Sequence, residues 1–429
     1  MRFSWLTLVL VLALTVPAFA QDPAEGGMEG EAPATDEAPA EDEAVEEEAV
    51  EEESGEEEPA GDAVGAEVSR IMAGYEKSGY NGVFLRSEDG QLEFRIGAYT
   101  QLRFDINHRD APAGEDDVEQ GFSVNRTRLF FTGQYTEWYG FHFRINYNDS
   151  FDPELLVALA QLKIDDNSHV RLGKQFLALS REDWQFAQDV LTTEFSPNDF
   201  TFAIGTSIGA QYFRSFEDSR FWVGLSNGAY GGKDEFPKTN AADIALNGRY
   251  ELALSGDDWS VWDDLVGRPG RADGSMLGVG FLYQYRSNDP LLVENAMQLN
   301  VDYSMNGDGW QGMVAVSMTW LDDDINGSDS VWGLMAQLGY FIADAHQVYG
   351  QFNHVNPGTM DQFNSFSSLC VGVNWFPMIW TNRWKFSLEG GILMSALNDT
   401  IVAESGSLGW LSSDEKGQMY LRLQLQMGF

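Results

Sequence analysis

Apolar and polar residues alternate with a period of two along most of the chain, most plainly at its end. Met419, Leu421, Leu423, Leu425, Met427 and Phe429 share one face of an extended segment, and Gln418, Tyr420, Arg422, Gln424, Gln426 and Gly428 share the other. Successive side chains on a strand point to opposite faces, so this is a strand with one oily and one wet side. The same alternation sets Leu92, Phe94, Ile96, Ala98, Leu102, Phe104 and Ile106 against Glu93, Arg95, Gln101, Arg103 and Asp105. It sets Leu129, Phe131 and Tyr135 against Arg126, Arg128, Thr132 and Gln134, and Phe141, Phe143, Ile145 and Tyr147 against His142, Arg144, Asn146 and Asn148. Further segments fall at 154–164, 168–175, 207–216, 219–225, 243–254, 275–286, 295–305, 310–321, 331–342, 346–354, 366–376, 383–396 and 417–429. The total is about sixteen strands, an even number of the kind that single-chain outer-membrane barrels use.

The connections point the same way. In such barrels one end has short turns and the other long loops. Thr136 to Trp138, Asp165 to Asn167, Glu217 to Asp218, Asn306 to Gly309 and Ala343 to Ala345 are short and alternate with the longer Asn107 to Gly121, Phe176 to Thr206, Ser226 to Ala242 and Asn398 to Lys416. Ser255 to Gly274 breaks the rule, being long at the short-turn end, and implies either two unrecognised strands or an insertion. The expected fold is therefore all-β, a transmembrane antiparallel β-barrel with long outer loops. A soluble β-sandwich or solenoid also alternates, but shows turn signals every 8 to 12 residues and lacks an export signal.

An export signal is present. Arg2, the apolar run Leu6 to Val16 and the small-x-small site Ala18-Phe19-Ala20 read as a signal peptide over residues 1–20. Residues 21–62 form an acidic low-complexity tail in which Asp22 to Asp62 holds 19 acids and no Lys or Arg. Such a segment cannot bury enough surface to offset its chain entropy and is expected to be disordered. Residues 63–90 are expected to lead into the barrel, with a short helix over Val64 to Glu76, and 91–429 to form the barrel itself. The overall charge of −41 belongs largely to the tail: removing its 19 acids from 67, and Arg2 from 26 bases, leaves 48 against 25, a net of −23. Nucleic-acid binding is disfavoured, since no basic patch interleaved with aromatics compensates that field. Mean hydropathy of −0.28 does not argue against a membrane location, because lipid-facing and lumen-facing residues of a barrel cancel. The one cysteine, Cys370, excludes an intramolecular disulfide.

Parity places the bases. Arg95, Arg103, Arg126, Arg128, Arg144, Lys163 and Arg171 fall on the polar face of the first five strands, with His142 beside them and Lys174 at the end of the fifth. An Arg in lipid costs about 2–4 kcal/mol at the midplane, so these residues are expected to line the bore and guide anions. Pairing with lumenal acids such as Glu93 and Asp105, which would make the bases struts of the wall, is the alternative. Opposite wet faces carry Gln298, Asn300, Asp302, Gln337 and Glu389, giving a transverse field. The segment 176–206 mixes many aromatics with charge, and so much apolar surface does not stay free in water. It is expected to fold into the bore as a constriction, with Arg181, Trp184 and Glu194 at the narrowing, although a lid over the mouth or a trimer latch would also cover it.

Asp322, Asp324 and Asn326, followed by Gly327, match the first half of a calcium loop. Its twelfth position is Gly333 and not Glu, so a plain Asn-Gly turn competes. None of His108, His142, His169, His346 and His354 stands in a Ser-His-Asp, zinc or paired-carboxylate context, so no enzyme and no cofactor are expected.

Four stretches resemble the phosphate-selective porins O and P of Gram-negative outer membranes. They are Gly82-Val83-Phe84-Leu85-Arg86-Ser87 before the Leu92 strand, Asn125-Arg126-Thr127-Arg128-Leu129, Val170-Arg171-Leu172-Gly173-Lys174-Gln175-Phe176 before the long loop, and Thr193-Glu194-Phe195-Ser196-Pro197 within it. The resemblance implies a 16-stranded channel, a homotrimer in the outer-membrane bilayer, a basic lining that guides anions such as phosphate, and a third loop folded inward. The chain departs from that family's dense basic ladder in having no Lys or Arg between Arg286 and Arg383. Passive diffusion of small polar solutes or ions is the expected function. The competing one is a structural envelope protein whose barrel anchors the acidic tail.

Overall fold

The computed structural model describes residues 71–76, 82–113, 115–147, 153–229, 242–256, 258–286, 295–323, 327–356, 365–397, 408–413 and 415–429. The signal-peptide and acidic segments, together with Asp324 and Asn326, lie outside these residues. A hairpin of β1 (Ile71–Glu76) and β2 (Gly82–Ser87) comes first. Then follow β3 (Leu92–His108), β4 (Val118–Tyr135), β5 (Tyr139–Tyr147), β6 (Pro153–Asp165), β7 (Ser168–Phe176) and β8 (Thr206–Ser215). Next are β9 (Ser219–Ser226), β10 (Ile244–Ser255), β11 (Gly274–Tyr285), β12 (Asn295–Gly307) and β13 (Trp310–Asp323). The last are β14 (Gly327–Ala343), β15 (His346–Asn356), β16 (Phe366–Trp375), β17 (Lys385–Leu393) and β18 (Met419–Gly428).

From β3 onward each strand pairs antiparallel with the next, and β18 returns to β3 with Met419 opposite His108 and Gly428 opposite Tyr99. The result is a closed barrel of 16 strands. Backbone groups in hydrocarbon must be paired, which an open sheet edge cannot achieve. The hairpin uses what remains of the edge of β3. Below the β18 pairing, Phe429 exchanges backbone hydrogen bonds with Ala98, and β2 continues from Val83 opposite Ile96 to Arg86 opposite Glu93.

Outward side chains such as Val316, Leu338, Val371 and Leu423 are exposed. Aromatics stand at both rims: Tyr135, Trp138, Tyr139, Tyr340 and Trp375 at the turn end, Phe122, Tyr283 and Trp332 at the loop end. This is the apolar band with aromatic girdles of a transmembrane barrel. His354 belongs to that belt, its Nδ1 meeting Ser367 Oγ at 2.9 Å and its ring lying against Trp332.

Two expectations need correction, and one open alternative is decided. Ile71–Glu76 is a strand rather than the end of a helix, since Gly74 and Tyr75 are weak helix formers and β2 offers a pairing edge. The loop expected from Asn107 to Gly121 is mostly hairpin, because His108 pairs with Val118 and Arg109 binds Glu115 and Glu119 at 2.7 and 2.5 Å. The long turn-end connection holds no strand. It is an insertion with a short 3-10 turn, Trp259–Trp262, that runs into the bore, burying Val261, Trp262, Leu265 and Val266.

Replacing the outward, mid-strand Leu423 by Arg should lower barrel stability by about 2–4 kcal/mol in urea titrations of protein folded in lipid vesicles.

Candidate functional site

The third loop, residues 177–205, is folded inside the barrel by its own caps. Ser180 accepts the Asp183 N–H at 2.9 Å and so caps the helical turn Arg181–Trp184, while Ser196 accepts the Asp199 N–H at 2.9 Å and caps Pro197–Phe202. Each cap also grips the other turn. The Ser180 hydroxyl donates to Asp199 Oδ1 at 3.0 Å, and Ser196 donates its hydroxyl and N–H to Glu182 at 2.6 and 2.7 Å. Two helical turns too short to persist alone are thereby locked into one unit.

The inward faces of the strands hold this unit. Glu194 accepts from Arg126 at 2.7 Å, Arg103 at 3.1 Å and Asn125 at 2.8 Å. Glu389 on β17 accepts the N–H and hydroxyl of Thr193 at 3.0 and 2.9 Å, and the hydroxyls of Tyr349 and Tyr420 at 2.8 and 3.1 Å. Loop carbonyls are met by Lys385 (Val190 O, 3.0 Å), Asn374 (Leu191 O, 2.8 Å), Gln424 (Thr193 O, 2.9 Å) and Arg249 (Leu179 O, 2.9 Å). Close approach is permitted by glycine: a Cβ on Gly280 would collide with the Leu179 backbone, and one on Gly339 with the Leu191 side chain. The insertion meets the loop from the turn end, where Leu265 N–H donates to Asp189 O at 2.9 Å, Arg181 donates to Trp262 O at 2.8 Å, and Val190 packs on Leu265. Nearer the loop end, Leu397, Leu408 and Trp410 join Leu177, Leu179 and Phe202 in an apolar cluster. Among the described residues, the loop and the insertion thus occupy the bore along β11 to β18.

Along β3 to β8 there is open space. A cavity of about 810 Å³ lies there, lined by Arg95, His142, Arg144, Lys163, Arg171 and Trp184 among others. Arg144 stacks 3.8 Å from the Phe186 ring centroid and Arg171 lies 5.7 Å from Trp184, so the aromatic flank of the loop forms the cavity's inner wall.

The expected site residues therefore divide. Arg95, His142, Arg144, Lys163 and Arg171 gather at the cavity, Lys163 beside its rim and paired with Asp166 at 2.6 Å. Arg103 and Arg126 are buried struts of the loop, and Arg128 bonds Asn146 and Tyr99, both at 3.1 Å. Lys174 is a correction: it stands opposite the exposed Ile208 and faces outward, because Arg171, Gly173 and Gln175 take the inward parity. Of the loop residues, Trp184 faces the cavity, Glu194 is an anchor and Arg181 is buried against the insertion. Asp322 accepts the Ser328 hydroxyl at 2.8 Å across the β13–β14 pairing. Residues that the basic-wall reading passed over are His169, Arg249, Lys385 and Arg422. Their inward parity is plain in the sequence, but the loop atoms they face are not.

Solved structures share this barrel. It resembles the anion-selective porin from Comamonas acidovorans, with a TM-score of 0.58 at 12% identity, covering 79% of this chain and 100% of that one. A Salmonella typhi OmpF complex with daunomycin gives 0.52 at 9% identity over 79% of this chain and 98% of that one. Outer-membrane expressed OmpT of Vibrio cholerae gives 0.51 at 10% identity over 81% and 100%. No family model matches the sequence, and no curated protein matches it. The fold is that of outer-membrane porins.

Removing one partner of a buried charge pair costs about 3–5 kcal/mol, so Glu194→Gln should release the loop. The measurements are new protease cleavage within 177–205 and larger, noisier single-channel currents. Loop docking should also depend on pH. Burial, with Asp183 and Glu194 nearby, pushes Glu182 up to about 7, and burial pushes Asp189 up to about 6. Burial would raise Glu194 too, but Arg126 and Arg103 overcome it and hold it down to about 2. Groups held above their unfolded values of 4.5 and 3.8 weaken docking as pH climbs from those values to 7 and 6, whereas Glu194 weakens it as pH falls below 4.5. Hydrogen exchange of the loop, corrected for intrinsic rate, should be slowest near about pH 4–5 and several-fold faster at about pH 7.5, with Glu182→Gln reducing the alkaline limb, to which Asp189 and the buried Asp199 also contribute.

Proposed function

We propose that the protein is a passive outer-membrane channel for small hydrophilic solutes that favours anions, and that its solutes pass between the third loop and the basic wall. One observation carries this reading: the loop and the insertion occupy the bore along β11 to β18, while the side along β3 to β8 keeps a cavity of about 810 Å³ with Arg95, Arg144 and Arg171 on its wall. In a low-dielectric wall such charges raise the local anion concentration. The porin fold supports the reading, and one structure that shares it is an anion-selective porin. Phosphate falls within the favoured class as one small anion among others, because Arg103 and Arg126 spend their charge on Glu194. The turn end would face the periplasm, a homotrimer is the assembly, and the channel performs no catalysis.

Purified protein in planar bilayers should give stepwise conductance. Under a salt gradient, Arg144→Gln with Arg171→Gln should move the reversal potential toward cations, with a several-fold fall in the anion-to-cation permeability ratio. An unchanged ratio would remove anion preference from the proposal, and a silent barrel would remove the channel.

A further inference from the structure

We propose that Phe186 is the residue that sets what passes the channel: its contact with Arg144 closes the loop end of the cavity, and a swing of its side chain opens it. The proposal rests on the channel reading and locates the filter of that path.

The cavity stops at one level of the wall. Its lining runs from the turn-end rim up to Arg144 on β5, Val157 on β6 and Gln175 on β7, and takes nothing from the described residues between 97 and 131 on β3 and β4. Register sets Gly97 beside Phe130, Phe130 beside Arg144 and Arg144 beside Val157, and Gln175 opposite Ser207 continues the row. The side chains of this row face the bore, yet all are buried: Phe130 is 6% exposed, Arg144 4%, Val157 4%, Gln175 2% and Ser207 0%. One inward position nearer the turn end, Thr132, His142 and Leu159 are only half-buried and line the cavity. A bore-facing side chain loses contact with water only where other atoms fill the bore. Among the described residues, the path along β3 to β8 is therefore shut at the level of Arg144.

What covers the row differs along it. The Phe130 ring takes the space in front of Gly97 and carries the Arg383 guanidinium 5.3 Å from its centroid, a packed arrangement of wall residues. Arg144 is covered from the loop, its guanidinium 3.8 Å from the Phe186 centroid, with the Phe176 ring 6.0 Å away. The main chain next to Phe186 is pinned to the wall, because Gln101 donates to Ala187 O at 3.4 Å and Gln426 donates to Gln188 O at 3.1 Å. The ring itself is half-buried and borders the cavity. A change of its χ1 rotamer therefore carries it off Arg144 into about 810 Å³ of open space while the loop stays docked. That swing widens the gap between loop and wall and uncovers a positive face at the narrowest point, so one side chain governs size and charge together. A cation held over a ring shifts such an equilibrium by about tenfold, enough to keep the gap closed most of the time and to let it open without loss of the fold.

The test is single-channel recording in planar bilayers, with polyethylene glycols of graded size to gauge the narrowest passage. Phe186→Ala should raise conductance several-fold and admit larger glycols than the unaltered protein. Trifluorophenylalanine in place of Phe186 keeps the shape of the ring and weakens its π-face, so it should raise the open fraction several-fold, whereas a ring that served only as packing would leave that fraction where it was. In both variants the segment 177–205 should stay as resistant to protease as before, which separates this opening from the loop release expected of Glu194→Gln. Lys174→Gln, on the outer face, should change neither conductance nor glycol cutoff. An unmoved cutoff in Phe186→Ala, an open fraction indifferent to the fluorinated ring, or a gain in current that comes only with cleavage of the loop would each overturn the filter and leave the channel standing. Silence of the unaltered protein and of every variant would overturn the channel reading and the filter with it.

Discussion

Hydrocarbon offers no partner to a backbone N–H or C=O, and every other feature of this structure follows from the need to close the sheet. The ladder between β18 and β3 meets that need, from Met419 opposite His108 to Gly428 opposite Tyr99. Closure fixes which face of every strand looks inward, and the inward face then decides where charge can survive. It also explains the hairpin of β1 and β2, which takes up the edge of β3 that the end of β18 leaves unpaired.

A bore lined by Gln298, Asn300, Asp302, Glu389 and Arg422 is a set of hydrogen-bonding groups that require partners once water is displaced. The third loop and the turn-end insertion provide them, so the packed half of the barrel behaves as a protein interior built from polar side chains and loop carbonyls. A buried ion pair adds little net stability, because desolvation offsets its attraction. Glu194 between Arg103 and Arg126 fixes the loop whose aromatic flank lies against Arg144 and Arg171. The same interaction that withdraws two arginines from the solute path shapes the path that remains.

Parity along the strands correctly put Arg95, Arg144, Lys163 and Arg171 inside, and the loop's aromatic content correctly sent it into the bore. Parity itself puts Lys174 outside, and grouping it with the inward bases by proximity in sequence was misleading. Parity could not tell Arg126 from Arg144. Both point inward, but one meets a loop carboxylate and the other a loop phenyl ring, a distinction set by residues 50 and more positions apart in some contacts and by the path of a loop with no periodicity. The insertion after β10 was visible as a break in the rhythm of connections, without any sign that Leu265 would reach Asp189.

By itself, then, the sequence determined strand count, order, facing and the position of the irregular loops, because a period-two pattern with one oily face has a single low-energy arrangement beside lipid. Only the tertiary structure decided which half of the bore stays open, since that depends on long-range fits between loop and wall. Gly280 reads along the chain like any other strand glycine, although its missing side chain makes room for the loop.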